Sequence, residues 1–422
     1  MILLSTAIDY LAALRIEATE DEKQRRRWLW ASLATNLGIL FTFKYLDFFA
    51  GSAATLLETL GLQAGWTTLH ITLPVGISFF TFQSMSYTID VYRREIQAKR
   101  EPLDFALFVA FFPQLVAGPI VRARDFLPQL TSRPAFSSVP VRACLTLFWI
   151  GFFKKACVGD NLALWIDPVY AEPAAHTASA LIGATWLYAV QIYCDFSGYS
   201  DMAIATAGLL GYRLPRNFAA PYFSRSATEF WRRWHISLSS WLRDYLYISL
   251  GGNRHGAMRT RVNLMATMLL GGLWHGASWN FIIWGGLHGL ALIVHRQWRA
   301  LVGAFHAPGI LRPLSRFAAL LLTAWWVVFC WIFFRAGTLP DALITARAYL
   351  TWASPGSTSL PANVWPVLAL LIGMHAICWR LRPEERAGAV PGIAFALAYG
   401  LAWSLALLWV PLEAKPFIYF QF

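Results

Sequence analysis

From Trp28 onward the chain is a succession of apolar runs, most of them about twenty residues or longer, joined by short connections in which lysine and arginine gather. That alternation admits few folds. About twenty residues of helix rise about 30 Å, the thickness of a bilayer's hydrocarbon core. A water-soluble fold has nowhere to hide so much apolar surface. With 57% hydrophobic and 14% charged residues, the chain also falls well below the ~25% charge of an ordinary soluble domain. These features predict an all-α, polytopic integral membrane protein, a single membrane domain over 1–422, placed as a multi-pass protein of the inner (cytoplasmic) membrane.

The basic residues set the orientation. Lys23, Arg25, Arg26 and Arg27, and the RREIQAKRE segment after Tyr92, mark a cytoplasmic side, whereas Gly51–His70 and Tyr170–Ser179 carry no Lys or Arg and are expected outside. Crossings are expected at Trp28–Ala50, Ile71–Tyr92, Val139–Ile166, Ala180–Gly211, Leu314–Phe334, Val364–Leu381 and Val390–Pro411. Met1–Ile16, with Asp9 inside it, is read as a half-span without a removable signal. Leu103–Val121 is interrupted by Pro113 and Gly118-Pro119 and has basic residues on both flanks, so a re-entrant segment is expected. Val262–Trp298 is read the same way, entering, breaking near Gly271-Gly272 and returning. Both termini then lie outside. This pattern accounts for the +12 net charge without a nucleic-acid partner.

Between Arg213 and Arg261 the only acids are Glu229 and Asp244, against nine arginines and no lysine. Phe230, Trp234, Leu238, Trp241, Tyr245 and Ile248 recur at spacings of three and four, one face of a helix lying in the membrane interface. Arg232, Arg233 and Arg243 are assigned chiefly to anionic lipid.

Two histidines stand out. His275 lies in GGLWHGASWN, where Gly271, Gly272 and Gly276 would let a ligand approach. An ionisable residue at a break in an apolar segment marks a functional site by default, and histidine is the side chain suited to moving a proton near neutral pH. The bland reading is a structural histidine bonded to a freed carbonyl. His235, on the basic helix, is balanced on its residues alone between an interfacial and a catalytic role. His288 and His295 read as packing or interfacial, and His255 as part of the GGNRHG turn. Asp195 and Asp201 are six apart, off one helical face unless Ser197-Gly198 breaks the helix, and are expected to pair with Lys154, Lys155 or an arginine. The five cysteines have no metal-ligand spacing, and no GxSxG, HExxH or Walker string is present. A histidine base without metal or protein nucleophile suits transfer of an already activated acyl group to a hydroxyl.

The stretches ITLPVGISFFTFQSMSYTIDVYR, FVAFFPQLVAGPIVR, QIYCDFSGYSDMAIATAGLLGY, FWRRWHISLSSWLRDYLYISLGGNR, LLGGLWHGASWNFIIWGGLHG and FIYFQF, in this order, resemble the membrane-bound O-acyltransferase (MBOAT) family in its bacterial, alginate O-acetyltransferase-like branch. The resemblance covers most of the chain, and relatives carry a further apolar span before LLSTAIDYLAALRI. It implies a ring of membrane helices around a thin core, with a tunnel from a cytoplasmic donor side to an outer acceptor side. It puts His275 in the place of the catalytic histidine and His235 in that of the second motif histidine. It implies acetyl-CoA as donor substrate, with no bound cofactor and no metal, an exported polysaccharide such as alginate as acceptor, and a periplasmic or extracellular SGNH-type partner. D-alanyl or other acyl transfer from an acyl carrier protein, and a non-catalytic transporter or scaffold of the same fold, are the alternatives.

Overall fold

The structure, a computed structural model, describes residues 1–66, 68–69, 71–132, 135–302 and 312–413. His70, His306 and the terminal FIYFQF stretch lie outside the described residues. The described chain is built of helices and connections, with no β-strand among the described residues.

The N-terminal group comprises Ile2–Glu17, Glu22–Leu40 and Ile77–Tyr92. A fully buried carboxylate ties the first two together: Asp9 accepts from Ser32 Oγ at 2.5 Å and from Asn36 Nδ2 at 2.8 Å. The second helix passes through a π turn, Phe41–Tyr45, into Leu46–Thr59. Helix therefore continues into the segment expected to be an outer loop from Gly51. The expected re-entrant piece is two short helices, Pro102–Ala110 and Phe112–Leu115. They are parted at the extended Phe111, because Pro113 supplies no N–H to continue the ladder.

Val141–Phe152 runs through a π segment, Phe153–Gly159, into Asp160–Ala171, and this column packs along Ala178–Leu209. That last helix is unbroken through Ser197-Gly198. The charged residues find one another as expected: Lys154 Nζ reaches Asp201 at 2.6 Å, and Lys155 Nζ reaches Asp160 at 2.6 Å and Asp195 at 3.2 Å. Leu339–Thr351 is a helix not anticipated from the sequence. Its start is fixed by Thr338, whose hydroxyl accepts from Asp341 N and donates to the Asp341 carboxylate.

Among the described residues two helices, Arg312–Arg335 and Val364–Ala389, are long and apolar enough to cross a membrane, and Gly392–Leu407 is apolar but shorter. Leu397, Leu401 and Ile377 on these helices are exposed, as on a surface that meets a membrane or another protein. The main apolar core gathers around Ala178–Leu209, with aromatic rings from Phe230–Tyr245, Trp274, Trp284 and Val327–Phe334. Both candidate histidines are buried in this region.

Candidate functional site

Gly256–His275 and Trp279–Val302 form a hairpin. Contrary to the expected break, the first helix runs straight through Gly271-Gly272 and ends at His275; the chain turns at the extended Gly276. The glycines serve contact between backbones. A Cβ on Gly272 would lie 2.2 Å from the Phe281 carbonyl oxygen, and one on Gly285 2.3 Å from that of Met268. At Gly276 the space is filled by the Phe281 ring, not left for a ligand.

Ending the helix at His275 leaves its last carbonyls without intrahelical partners. Two side chains of the Phe41–Tyr45 π turn meet them. Tyr45 donates to Leu273 O at 3.1 Å, and Lys44 Nζ donates to Trp274 O at 2.5 Å and His275 O at 3.3 Å. An ammonium at this end complements the helix dipole. Lys44 also reaches Ser78 Oγ at 3.3 Å. Together Lys44, Ser78 and His275 line a cavity of about 220 Å³ whose wall also includes the rest of the 73–79 segment and Val116. In the sequence Lys44 is no more than one cation in an aromatic run, FTFKYLDFF.

The expected single basic helix is two short ones, Ala227–Arg233 and Ile236–Trp241, followed by a π segment, Leu242–Tyr247. His235 is the hinge, with φ 43° and ψ 56°. A left-handed non-glycine residue costs about 1–3 kcal/mol and persists only where its surroundings impose it. Here Ala219 N donates to Arg233 O and Ile236 N to Asn217 O, both at 2.9 Å, clasping the hinge on either side. The predicted apolar face is real: Phe230, Trp234, Leu238, Trp241 and Tyr245 are buried in the core, and Ile248 is exposed.

The hinge delivers the His235 ring into an aromatic chamber of Phe79, Phe196, Phe218 and Trp274. The residue is buried, yet neither ring nitrogen has a hydrogen-bond partner among the described residues. Buried polar groups are nearly always paired, so an imidazole held bare in this way is a candidate for contact with a reactant. The two candidate histidines meet on one indole. Trp274 lies 6.3 Å from the His235 ring and 5.0 Å from the His275 ring, centroid to centroid, both edge-on. His275 is also edge-on to Trp284 and Phe334.

The other candidates fall elsewhere. His288 is buried beside Phe230, Trp231 and Trp284, with its Nε2 also without a hydrogen-bond partner among the described residues. His255 packs at the Gly251 turn. His295 bonds Thr228 Oγ1 at 2.9 Å at the rim of a pocket of about 520 Å³, where Arg243, Arg296 and Arg299 are also found. The pocket wall includes Met268, seven residues and so about 10 Å of helix from His275. In the sequence Arg296 and Arg299 are only cations at the end of the 262–298 segment. Beside this pocket, burial would raise the Asp244 carboxyl, but Arg243 and Arg122 hold it below the usual carboxylate range. Asp195 and Asp201 are held in their lysine pairs. Among the described residues no group of three His, Cys, Asp or Glu side chains could hold a metal.

The chain is similar along most of its length to known acyltransferases. A family model described as MBOAT, membrane-bound O-acyltransferase family, matches residues 93–323. The chain is 42% identical to a probable alginate O-acetylase AlgI of Azotobacter vinelandii, over 95% of this chain and 82% of that one. It is 38% identical to a peptidoglycan O-acetyltransferase of Helicobacter pylori, over 80% of this chain and 67% of the other. A teichoic acid D-alanyltransferase of Streptococcus thermophilus is 30% identical over 53% of this chain and 57% of its own.

Proposed function

The chain belongs to the membrane-bound O-acyltransferase family and is an acyltransferase, and on that footing we propose that it moves acetyl from cytoplasmic acetyl-CoA across the inner membrane for O-acetylation of an exported polysaccharide. One observation carries the reading. His235 and His275 share the Trp274 indole, His275 lines a small cavity, and the helix that ends at His275 also contributes Met268 to a basic pocket. Arg243, Arg296 and Arg299 suit the phosphates of coenzyme A, and Met268 of the same pocket lies on the helix that ends at His275. In this mechanism His275 takes the proton of the acceptor hydroxyl as the oxygen attacks the thioester carbonyl. The tetrahedral intermediate then expels the thiolate, which is reprotonated, releasing coenzyme A. His235 orients the thioester. Residues 1–422 act as one multi-pass membrane domain, a ring of helices with the 103–121 and 262–298 segments re-entrant and the broken basic helix at its cytoplasmic edge. The acetyl group leaves on the outer side, to the polymer or to an SGNH-type partner.

Acetyl transfer is favoured over D-alanyl transfer because the O-acetylating relatives match more closely and over more of the chain. The test is purified protein in proteoliposomes supplied with labelled acetyl-CoA on the basic side. Label should pass to a hydroxyl acceptor, and Arg296→Ala or Arg299→Ala should raise the donor KM in a salt-sensitive way. Transfer only from a D-alanyl carrier protein, or none from any acyl donor, would replace this reading with one of the alternatives.

A further inference from the structure

Away from the histidines, the Val364–Leu381 helix stands off from the bundle. Only Val364 and Leu368 along it are buried. Between it, the Val141–Ala171 column and Ala178–Leu209 lie two adjoining cavities of about 240 and 270 Å³, which share Ile150, Lys154, Tyr193, His375 and Cys378. None of their lining residues belongs to the histidine hairpin.

The two cavities differ in kind, and all three walls order them the same way. The apolar one is lined by Phe153, Val158, Val190, Leu371 and Ile372. The polar one is lined by Leu147, Ser197, Asp201, Arg216 and Glu384. On every wall the polar cavity lies nearer the end expected at the cytoplasm: low numbers on the first column, high numbers on the other two helices. The result is an amphiphilic slot beside a helix that is buried only at Val364 and Leu368.

Its charges specify the head. Lys154 and Asp201 neutralise each other at 2.6 Å. Arg216 is braced by Nε donating to Phe218 O at 2.8 Å and by the Trp379 ring 4.9 Å from its guanidinium carbon. Its terminal nitrogens have no partner among the described residues, and nor does the Glu384 carboxylate. A fork of donors beside a free carboxylate fits a phosphate that carries an ammonium.

We propose that this slot binds one glycerophospholipid of the cytoplasmic leaflet with a primary-ammonium headgroup, an ethanolamine lipid, with phosphate on Arg216, ammonium on Glu384 and an acyl chain along Phe153, Val190 and Ile372. This rests on the membrane placement above and is independent of the acyl-transfer chemistry.

Native mass spectrometry of the delipidated full chain tests it, with palmitoyl-oleoyl ethanolamine, glycerol and choline phospholipids added separately. One ethanolamine lipid should bind about tenfold more tightly than the others. Arg216→Ala should weaken it about tenfold, as loss of a charge-assisted bond would. Glu384→Gln should erase the preference over the glycerol lipid, and Ile372→Trp should block the chain. In unmutated protein, Cys378, exposed and lining both cavities, should react several-fold more slowly with a maleimide when the ethanolamine lipid is present than with the choline lipid. Equal or reversed preference, or binding unaltered in both Arg216→Ala and Ile372→Trp, would overturn the proposal. Acyl-transfer activity plays no part in the readout, so failure here leaves the proposed function standing.

Discussion

At the residue scale, the chemistry rests on two imidazoles whose surroundings differ. His275 ends a helix and borders a cavity; His235 sits in a strained hinge with both nitrogens bare. General-base assistance is typically worth about 10²–10⁴ in rate. His275→Ala or Gln should therefore remove measurable acyl transfer at saturating donor from protein that remains monodisperse; wild-type turnover there would sink the mechanism. For His235 the informative change is Asn, which tolerates the left-handed backbone better than Ala. It should preserve the thermal midpoint to within a few degrees while lowering kcat/KM for the donor. Lys44 is a positioning residue, since it holds the carbonyls of Trp274 and His275. Lys44→Met should cut kcat about ten- to a hundredfold through misplacement of the imidazole, leave donor KM unchanged and be partly rescued by Arg. A shift in KM with kcat unchanged would show that Lys44 contacts the donor instead.

At the element scale, the histidine hairpin depends on glycines that let two backbones touch. Gly285→Ala places a methyl group 2.3 Å from Met268 O, whereas Gly286→Ala meets nothing closer than a leucine methyl at 3.5 Å. Overpacking of this kind costs about 1–3 kcal/mol. The first variant should melt several degrees lower in detergent by differential scanning fluorimetry, and the second near wild type. The sequence showed that this stretch mattered but misread why. A run such as GGLWHG looks like room for a ligand until the facing WGGLHG is set against it, and pairing of that kind belongs to tertiary structure. The basic helix was legible as a face, from Phe230 to Tyr245, but not as a hinge. A residue is pushed into the left-handed region by the 217–219 segment, more than a dozen positions away, and local pattern carries no trace of that. Lys154 with Asp201 and Lys155 with Asp195 were legible, because buried charges in apolar helices must find partners. Lys44 was not, since its partners are main-chain carbonyls more than two hundred residues later.

At the scale of the whole molecule, composition alone decided the all-helical class, and motif order decided the family. What composition could not supply is which helices face lipid, because aromatic residues line both the core and the outer surface. Orientation follows from the lysine and arginine bias and is directly testable. Single cysteines within Gly51–His70 or Tyr170–Ser179 should react with an impermeant maleimide in intact cells, and cysteines within Glu17–Arg27 or Arg254–Arg261 only after permeabilisation. Reaction from outside at Arg254–Arg261 would put the basic pocket on the wrong face for a cytoplasmic donor.

The lysine–aspartate pairs bear on how the protein is made. A charged residue at the centre of an inserting helix costs about 2.5–3.5 kcal/mol, and the Val141–Ala171 column carries Lys154 and Lys155 while Ala178–Leu209 carries Asp195 and Asp201. Each segment is penalised if it enters the bilayer alone. Joined by the six residues between Ala171 and Ala178, they can neutralise each other as soon as both have left the ribosome. Entry of the two segments as one helical hairpin would bring Lys154 its counter-charge, Asp201, and so avoid that penalty.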